Sequence, residues 1–135
     1  MIVRCLRIVD ATGRELAEIP GLRIGGEYVV LMISAIPGQD VKFRVHEDVS
    51  PTEQSPHYPS LWSSSMFELV CGDVPSNWRI ALGARGSPGY LRLAPGSWLR
   101  PGFWDDIFDW SPGSAEASED YSRELAIILS ESVNH

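Results

Sequence analysis

Apolar and polar residues follow a short-segment pattern over the first 95 residues, which is typical of a chain of β-strands. Strands are predicted at residues 2–9, 14–19, 27–34, 41–46, 66–71, 78–82 and 90–93. Residues 27–34 are apolar at nearly every position, and this run predicts a strand buried on both faces. A turn signal at residues 37–40 separates it from residues 41–46, so these two strands are expected to form a hairpin.

Residues 47–60 interrupt the strand pattern. They contain three prolines and no periodicity, which predicts a long surface loop. Leu61 and Trp62 follow directly and are expected to anchor the far end of this loop. Long loops on rigid scaffolds often carry recognition residues, so the 47–60 loop is one candidate binding surface.

The apolar spacing changes to three and four residues in the segment 98–110, which reads WLRPGFWDDIFDW. Pro101 suits the first position of a helix because its φ is fixed and it lacks an N–H. An apolar stripe is then formed by Phe103, Trp104, Ile107, Phe108 and Trp110. The acidic side chains of Asp105, Asp106 and Asp109 are expected on the opposite side. The segment predicts an aromatic plug with an acidic outer face.

A final helix is predicted from Ser111 or Ser114, either of which can cap it, to about residue 132. Its apolar stripe consists of Ala117, Tyr121, Leu125, Ile128 and Leu129. Its acidic residues lie off this stripe at Glu116, Glu119, Asp120, Glu124 and Glu131.

The order of these elements predicts an α+β fold in a single domain covering residues 1–135. Residues 1–96 are mostly β and residues 98–134 are helical. Many short strands followed by two helices indicate a small, strongly bent antiparallel sheet or a partly open β-barrel. The two C-terminal helices are expected to cover an edge or an open end of this sheet.

The net charge of −7 is concentrated at one end of the chain. Residues 1–100 contain ten acidic and ten basic residues, whereas residues 101–135 contain eight acidic residues and one basic residue, Arg123. This asymmetry predicts an acidic surface on the C-terminal helices, with a merely solvated helix face as the alternative. Nucleic acid and anionic membranes are poor partners for such a surface, and a basic protein surface is a good one.

The sequence contains no segment of about 20 apolar residues that could span a membrane and no secretory signal, which predicts a cytoplasmic protein. Cys5 and Cys71 are widely separated and are expected to be buried, unpaired side chains.

The search for catalytic chemistry finds little. His46, Glu47 and Asp48 with His57 do not have the spacing of metal ligands, so no metal and no cofactor is predicted. Residues 83–89 are rich in glycine but lack the lysine of a phosphate-binding loop. No serine or cysteine has a base placed to activate it, and the chain is expected not to be an enzyme.

Several segments together resemble the small immunity proteins that bacteria encode beside polymorphic toxins. They are GLRIGGEYVVL at 21–31, MFELV at 66–70, PSNWR at 75–79 and WLRPGFWDDIFD at 98–109. The resemblance extends over most of residues 21–130. It implies an SH3-like or similar β-barrel core and a stoichiometric inhibitor that binds one cognate toxin domain without catalysing a reaction.

The physical pattern and the resemblance together suggest a toxin-binding surface on the two C-terminal helices. Its residues are predicted to be Asp105, Asp106, Asp109, Glu116, Glu119 and Asp120, with Trp110 as the aromatic anchor. The alternative function is a small β-barrel interaction or ligand-binding module without a toxin partner. The aromatic surface is equally available to a second copy of the chain, so self-association stays open.

Overall fold

A computed structural model describes residues 1–49, 57–83, 88–109 and 112–133. These residues form short strands followed by two helices, which confirms the predicted α+β order. The elements are β1 (Ile2–Cys5), β2 (Ile8–Val9), β3 (Glu15–Leu16), β4 (Glu18–Ile19), β5 (Leu22–Arg23), β6 (Glu27–Ala35), β7 (Lys42–Val45), β8 (Leu61–Ser63), β9 (Phe67–Cys71), β10 (Trp78–Leu82), β11 (Leu91–Pro95), α1 (Phe103–Asp109) and α2 (Ser114–Ser132). Among them no helix has the length and apolar content needed to cross a membrane.

The long strand β6 organises the main sheet, as its apolar sequence predicts. It pairs antiparallel with β7, and Ile33 has Phe43 of β7 and Leu93 of β11 as its two partners, so these strands lie on opposite edges of β6. The N-terminal half of β6 pairs with β1, which in turn pairs with β9. The outer strands β10 and β8 follow β11 and β7. The result is a bent sheet that is not closed.

A register shift near Leu31 changes which face of the sheet is covered. Val30 pairs with Val45, and Met32 pairs with Arg44. Because Val45 and Arg44 are neighbours on one strand, they point to opposite faces, and so do their partners. Val30 and Met32 are 0% and 2% exposed, which confirms the prediction of a strand buried on both faces.

The aromatic plug, the segment 98–110, packs Trp98 and Phe103 into the core beside α2. Trp98 lies in a 3₁₀ turn at Gly96–Leu99 and is fully buried. Its ring is stacked between Phe103, at 6.3 Å between centroids, and Tyr121, at 5.0 Å. These stacked rings join the 3₁₀ turn, α1 and α2 into one layer, so the predicted plug is confirmed.

Several predicted boundaries are wrong in detail. Residues 2–9 form two strands, β1 and β2, and residues 61–63 form the strand β8, which was not predicted. Ser114 does not cap α2, because it is already helical and its hydroxyl donates to the carbonyl oxygen of Asp106. Ser111 lies outside the described residues. Cys5 and Cys71 are free and buried, as predicted.

Candidate functional site

Four of the predicted partner-binding carboxylates are exposed on the two helices. Asp105 and Asp109 are one turn apart on α1, and Glu116 and Glu119 are one turn apart on α2. None of the four takes part in an ion pair within the part of the chain that the structure describes. We call these four residues the acidic face.

The other two predicted carboxylates, Asp106 and Asp120, are less exposed than these four, and each is paired with an arginine. Asp106 is half-buried, and its carboxylate accepts a hydrogen bond of 3.2 Å from Arg100. Its side chain also turns toward the start of α2. A Cβ at Gly113 would lie 2.6 Å from the Asp106 carboxylate, which shows how closely the two segments approach. Asp120 is largely covered and forms an ion pair with Arg123.

Phe108 is partly exposed, although the periodicity places it in the buried stripe. It is 46% exposed, and it lies three residues after Asp105, so these two side chains are neighbours on one side of α1. Its inner side stacks on Trp104 with 5.9 Å between ring centroids. The predicted anchor Trp110 lies outside the described residues. Among the described residues of α1, Phe108 is the exposed aromatic residue next to the acidic face.

Tyr58 connects the exposed parts of the two helices. Its ring contacts Phe108 edge to face at 6.3 Å, and its hydroxyl lies 2.9 Å from the Ser118 hydroxyl of α2. Tyr58 thus contacts Phe108 of α1 and Ser118 of α2 at the same time. The ring of Tyr58 also packs against Tyr121 at 5.0 Å.

A buried arginine lies beneath this surface. Arg44 projects from β7, and its guanidinium carbon lies 4.0 Å from the centroid of Trp104 and 5.6 Å from that of Phe108. One of its N–H groups donates to the Pro59 carbonyl oxygen at 2.7 Å. Burial lowers the pKa of Arg44 to about 10, so the side chain still carries its charge at neutral pH. The guanidinium therefore stabilises the positions of the Trp104 and Phe108 rings through cation–π interactions.

Glu47 fixes the returning end of the predicted 47–60 loop. Its buried carboxylate accepts hydrogen bonds from Trp62 Nε1 at 2.9 Å and from the Ser60 backbone N–H at 3.1 Å. His57 Nε2 lies 2.6 Å from its other oxygen. The residues at 50–56 of this candidate binding loop lie outside the described residues. Trp62 is partly buried, and its indole N–H bonds this end of the loop to Glu47, which agrees with the prediction that Trp62 anchors it.

A cavity of about 160 Å³ lies between this loop end and α2. Its walls include His46, Glu47, His57, Tyr58, Tyr121 and Leu125. Burial raises the pKa of Tyr121, so its hydroxyl stays protonated at neutral pH. In the described ranges no group of three or more histidine, cysteine, aspartate or glutamate side chains is arranged to hold a metal ion.

The acidic face can attract a positively charged surface and offer it an apolar contact. Its carboxylates are free to pair with arginine or lysine side chains of a partner, and Phe108 provides apolar area among them. The layer formed by Arg44, Trp104 and Tyr58 fixes the position of Phe108 before a partner arrives. Such preorganisation lowers the entropy lost on binding.

Three important residues of this region were missed by sequence reasoning. The exposure of Phe108 depends on the angle at which α1 meets α2, which periodicity does not specify. Arg44 occupies a polar position of an alternating strand, and alternation predicts an exposed side chain there. Glu47 is buried by residues ten to fifteen positions away in a segment with no regular pattern. The cluster of aromatic residues at 98–110 was the only signal that a cation could find partners nearby.

The chain matches no known family model, no curated protein and no solved structure.

Proposed function

We propose that this protein is an immunity protein that binds a cognate secreted bacterial toxin domain and occludes its active-site cleft. The acidic face would enter a basic cleft of the toxin, and Phe108 would be the apolar anchor. The observation that carries the proposal is the set of four exposed carboxylates on the two helices, which form no ion pair with the described residues, together with the half-exposed Phe108 ring, which stacks on Trp104.

The charge distribution supports a basic partner. The C-terminal segment contains eight acidic residues and a single basic residue, Arg123, which is already paired with Asp120. Toxin domains that act on nucleic acids or nucleotides need electropositive clefts to hold phosphate groups. A complementary acidic surface accelerates the encounter with such a cleft.

The proposal has three finer features. The resemblance implies an SH3-like arrangement of the bent sheet and inhibition by occupancy with no reaction catalysed, and the sequence predicts a cytoplasmic location. The supporting observation for inhibition by occupancy is that the acidic carboxylates lie on outward helix surfaces rather than facing each other across a pocket.

A growth assay tests this function. The C-terminal domain of the protein encoded immediately upstream is expressed in bacteria with and without this chain. We expect that domain to stop growth alone and to become harmless with the wild-type chain, which should co-purify with it as a stable complex. An upstream domain that is harmless alone and does not bind this chain would contradict the proposal.

A double charge reversal on the acidic face tests which surface is used. Asp105→Lys with Asp109→Lys should abolish protection, because two attractive contacts become repulsive. Glu15→Lys with Glu18→Lys is the matched control, since it makes the same charge change at exposed positions of the N-terminal hairpins. The control should protect as well as the wild type. Equal protection by both variants would exclude the acidic face as the binding surface.

The alternative, an interaction or ligand-binding module without a toxin partner, gains some support from the cavity beside Glu47 and Tyr121. It predicts that the neighbouring gene product is harmless and does not bind. The growth assay therefore separates the two functions directly.

A further inference from the structure

A row of apolar side chains crosses one face of the sheet. Cross-strand partners point to the same face of a sheet, and each residue of the row is the register partner of the next. The row consists of Ile80, Leu93, Ile33, Phe43 and Trp62. A parallel second row contains Leu82, Leu91 and Ala35. Arg44, which neighbours Phe43 on β7 and so points to the opposite face, contacts Trp104 of α1.

The exposure of these rows increases toward β10. The side chains on β11, β6, β7 and β8 are half-buried, whereas Ile80 is 70% and Leu82 is 71% exposed. The most exposed apolar residues of the sheet face therefore lie on its outermost strand. Two large aliphatic side chains next to each other in water indicate a contact surface rather than an isolated exposed residue.

The same two residues present unpaired backbone groups. Among the described residues β10 pairs with β11 alone. Gly83 donates its N–H to the Tyr90 carbonyl oxygen, which places Gly83 in a hydrogen-bonded pair with β11. Because successive residues of a strand alternate in direction, Ile80 and Leu82 direct their N–H and C=O groups away from β11. The open edge and the exposed apolar side chains thus coincide.

The β10 edge lacks most of the features that normally keep an edge strand from pairing. Its five residues pair with β11 without a register shift, and they include no proline and no acidic residue. The single charged residue, Arg79, bends back to donate to the Trp78 carbonyl oxygen on its own strand. The outer strand β9 differs, because it has a register shift against β1 and carries Glu68 in an ion pair with Arg4. Uninterrupted, apolar edges are the ones that associate.

We propose that β10 pairs antiparallel with β10 of a second copy of this chain, about a two-fold axis at Ala81. In this register Ile80 faces Leu82 of the other copy, and Trp78 is not needed, since its N–H already donates to the Pro75 carbonyl oxygen and its carbonyl oxygen accepts from Arg79. The outward backbone groups of Ile80 and Leu82 then find partners in each other, and the apolar rows continue from one copy to the next. Arg79 faces Gly83, so no like charges lie directly opposite each other.

A second copy fits this edge better than a basic partner. The strands β10 and β11 carry Arg79 and Arg92 and no carboxylate, so they offer nothing to a basic surface. Two identical edges without acidic residues do not repel each other through the charge that dominates the helices. The proposal does not depend on the toxin-binding function, which uses the acidic face.

Sedimentation velocity of the full chain over a concentration series tests the proposal. We expect a monomer–dimer equilibrium, and Ile80→Lys with Leu82→Lys should raise the dissociation constant about 100-fold through lost apolar contact and added repulsion. Leu69→Lys is the matched control, because Leu69 is also an exposed leucine, 62% accessible, and lies on the outer strand β9. The control should dimerise like the wild type.

Amide hydrogen exchange of the wild-type chain locates the contact without relying on a variant that folds. The Ile80 and Leu82 amides should exchange about tenfold or more slowly at concentrations that favour the dimer, while Ala81, directed toward β11, should be protected at all concentrations. A chain that is monomeric throughout would overturn the proposal. So would a dimer that survives both lysine substitutions, or one in which the Ile80 and Leu82 amides exchange as in an open edge.

Discussion

At the scale of single residues, the region beneath the acidic face depends on two buried charges with different means of support. Arg44 is stabilised by aromatic faces and one carbonyl oxygen. Glu47 is stabilised by hydrogen-bond donors from three positions of the chain. Each is tolerated because its surroundings replace the water that it has lost. Both residues hold the segment 57–60, which carries Tyr58 to the helices.

Replacing Glu47 should therefore destabilise the protein, so that it unfolds at a lower denaturant concentration. Glu47→Ala leaves the Trp62 indole N–H and the Ser60 backbone N–H without a partner, and should lower the free energy of unfolding by about 2–3 kcal/mol. Urea unfolding followed by tryptophan fluorescence measures this loss.

The control for this substitution is Glu15→Ala at an exposed position, which should change the free energy of unfolding by less than about 0.5 kcal/mol. Equal stability of the two variants would mean that the Glu47 hydrogen bonds contribute nothing.

At the scale of elements, the sequence predicted β6, the β6–β7 hairpin, β10 and the aromatic plug because each has a strong local pattern. The register shift near Leu31 could not be predicted, since it depends on how two strands match rather than on either alone. The half-exposure of Phe108 and the inward turn of Asp106 result from the contact between α1 and α2. Local periodicity contains no information on that contact.

The end of α2 is attached to the segment before β10 through a carboxylate. Glu131 accepts hydrogen bonds from the hydroxyl and the backbone N–H of Ser76. These bonds lower the pKa of Glu131. A lowered folded-state pKa gives stability that is present above the ordinary glutamate pKa and is lost as the pH falls through the folded-state value.

Glu131→Gln should therefore lower the thermal unfolding midpoint at pH 7 relative to the wild type, and this difference should shrink as the pH falls below about 4. Circular dichroism at several pH values measures the midpoints. Glu116→Gln is the matched control at an exposed position without a described partner. A difference between Glu131→Gln and wild type that stays constant from pH 7 to acid would contradict this role of the carboxylate.

At the scale of the whole molecule, charge and apolar exposure are located on different surfaces. The helices carry the excess of acidic residues. The open sheet edge at β10 is mostly apolar, and its one charged residue is Arg79. The proposed functions use these surfaces separately, one for a basic toxin cleft and one for a second copy of the chain. The composition predicted an acidic C-terminal surface, but the apolar edge became visible only when the strand register was known.

The association rate of this protein with the upstream toxin domain, measured by stopped-flow at several salt concentrations, tests the central claim most directly. For the wild type and for Glu15→Lys with Glu18→Lys, we expect the rate to fall about tenfold or more from low to high salt, because salt screens the attraction. Asp105→Lys with Asp109→Lys should associate slowly with little dependence on salt. A reversal variant that keeps the wild-type rate and the wild-type salt dependence would contradict binding through the acidic face.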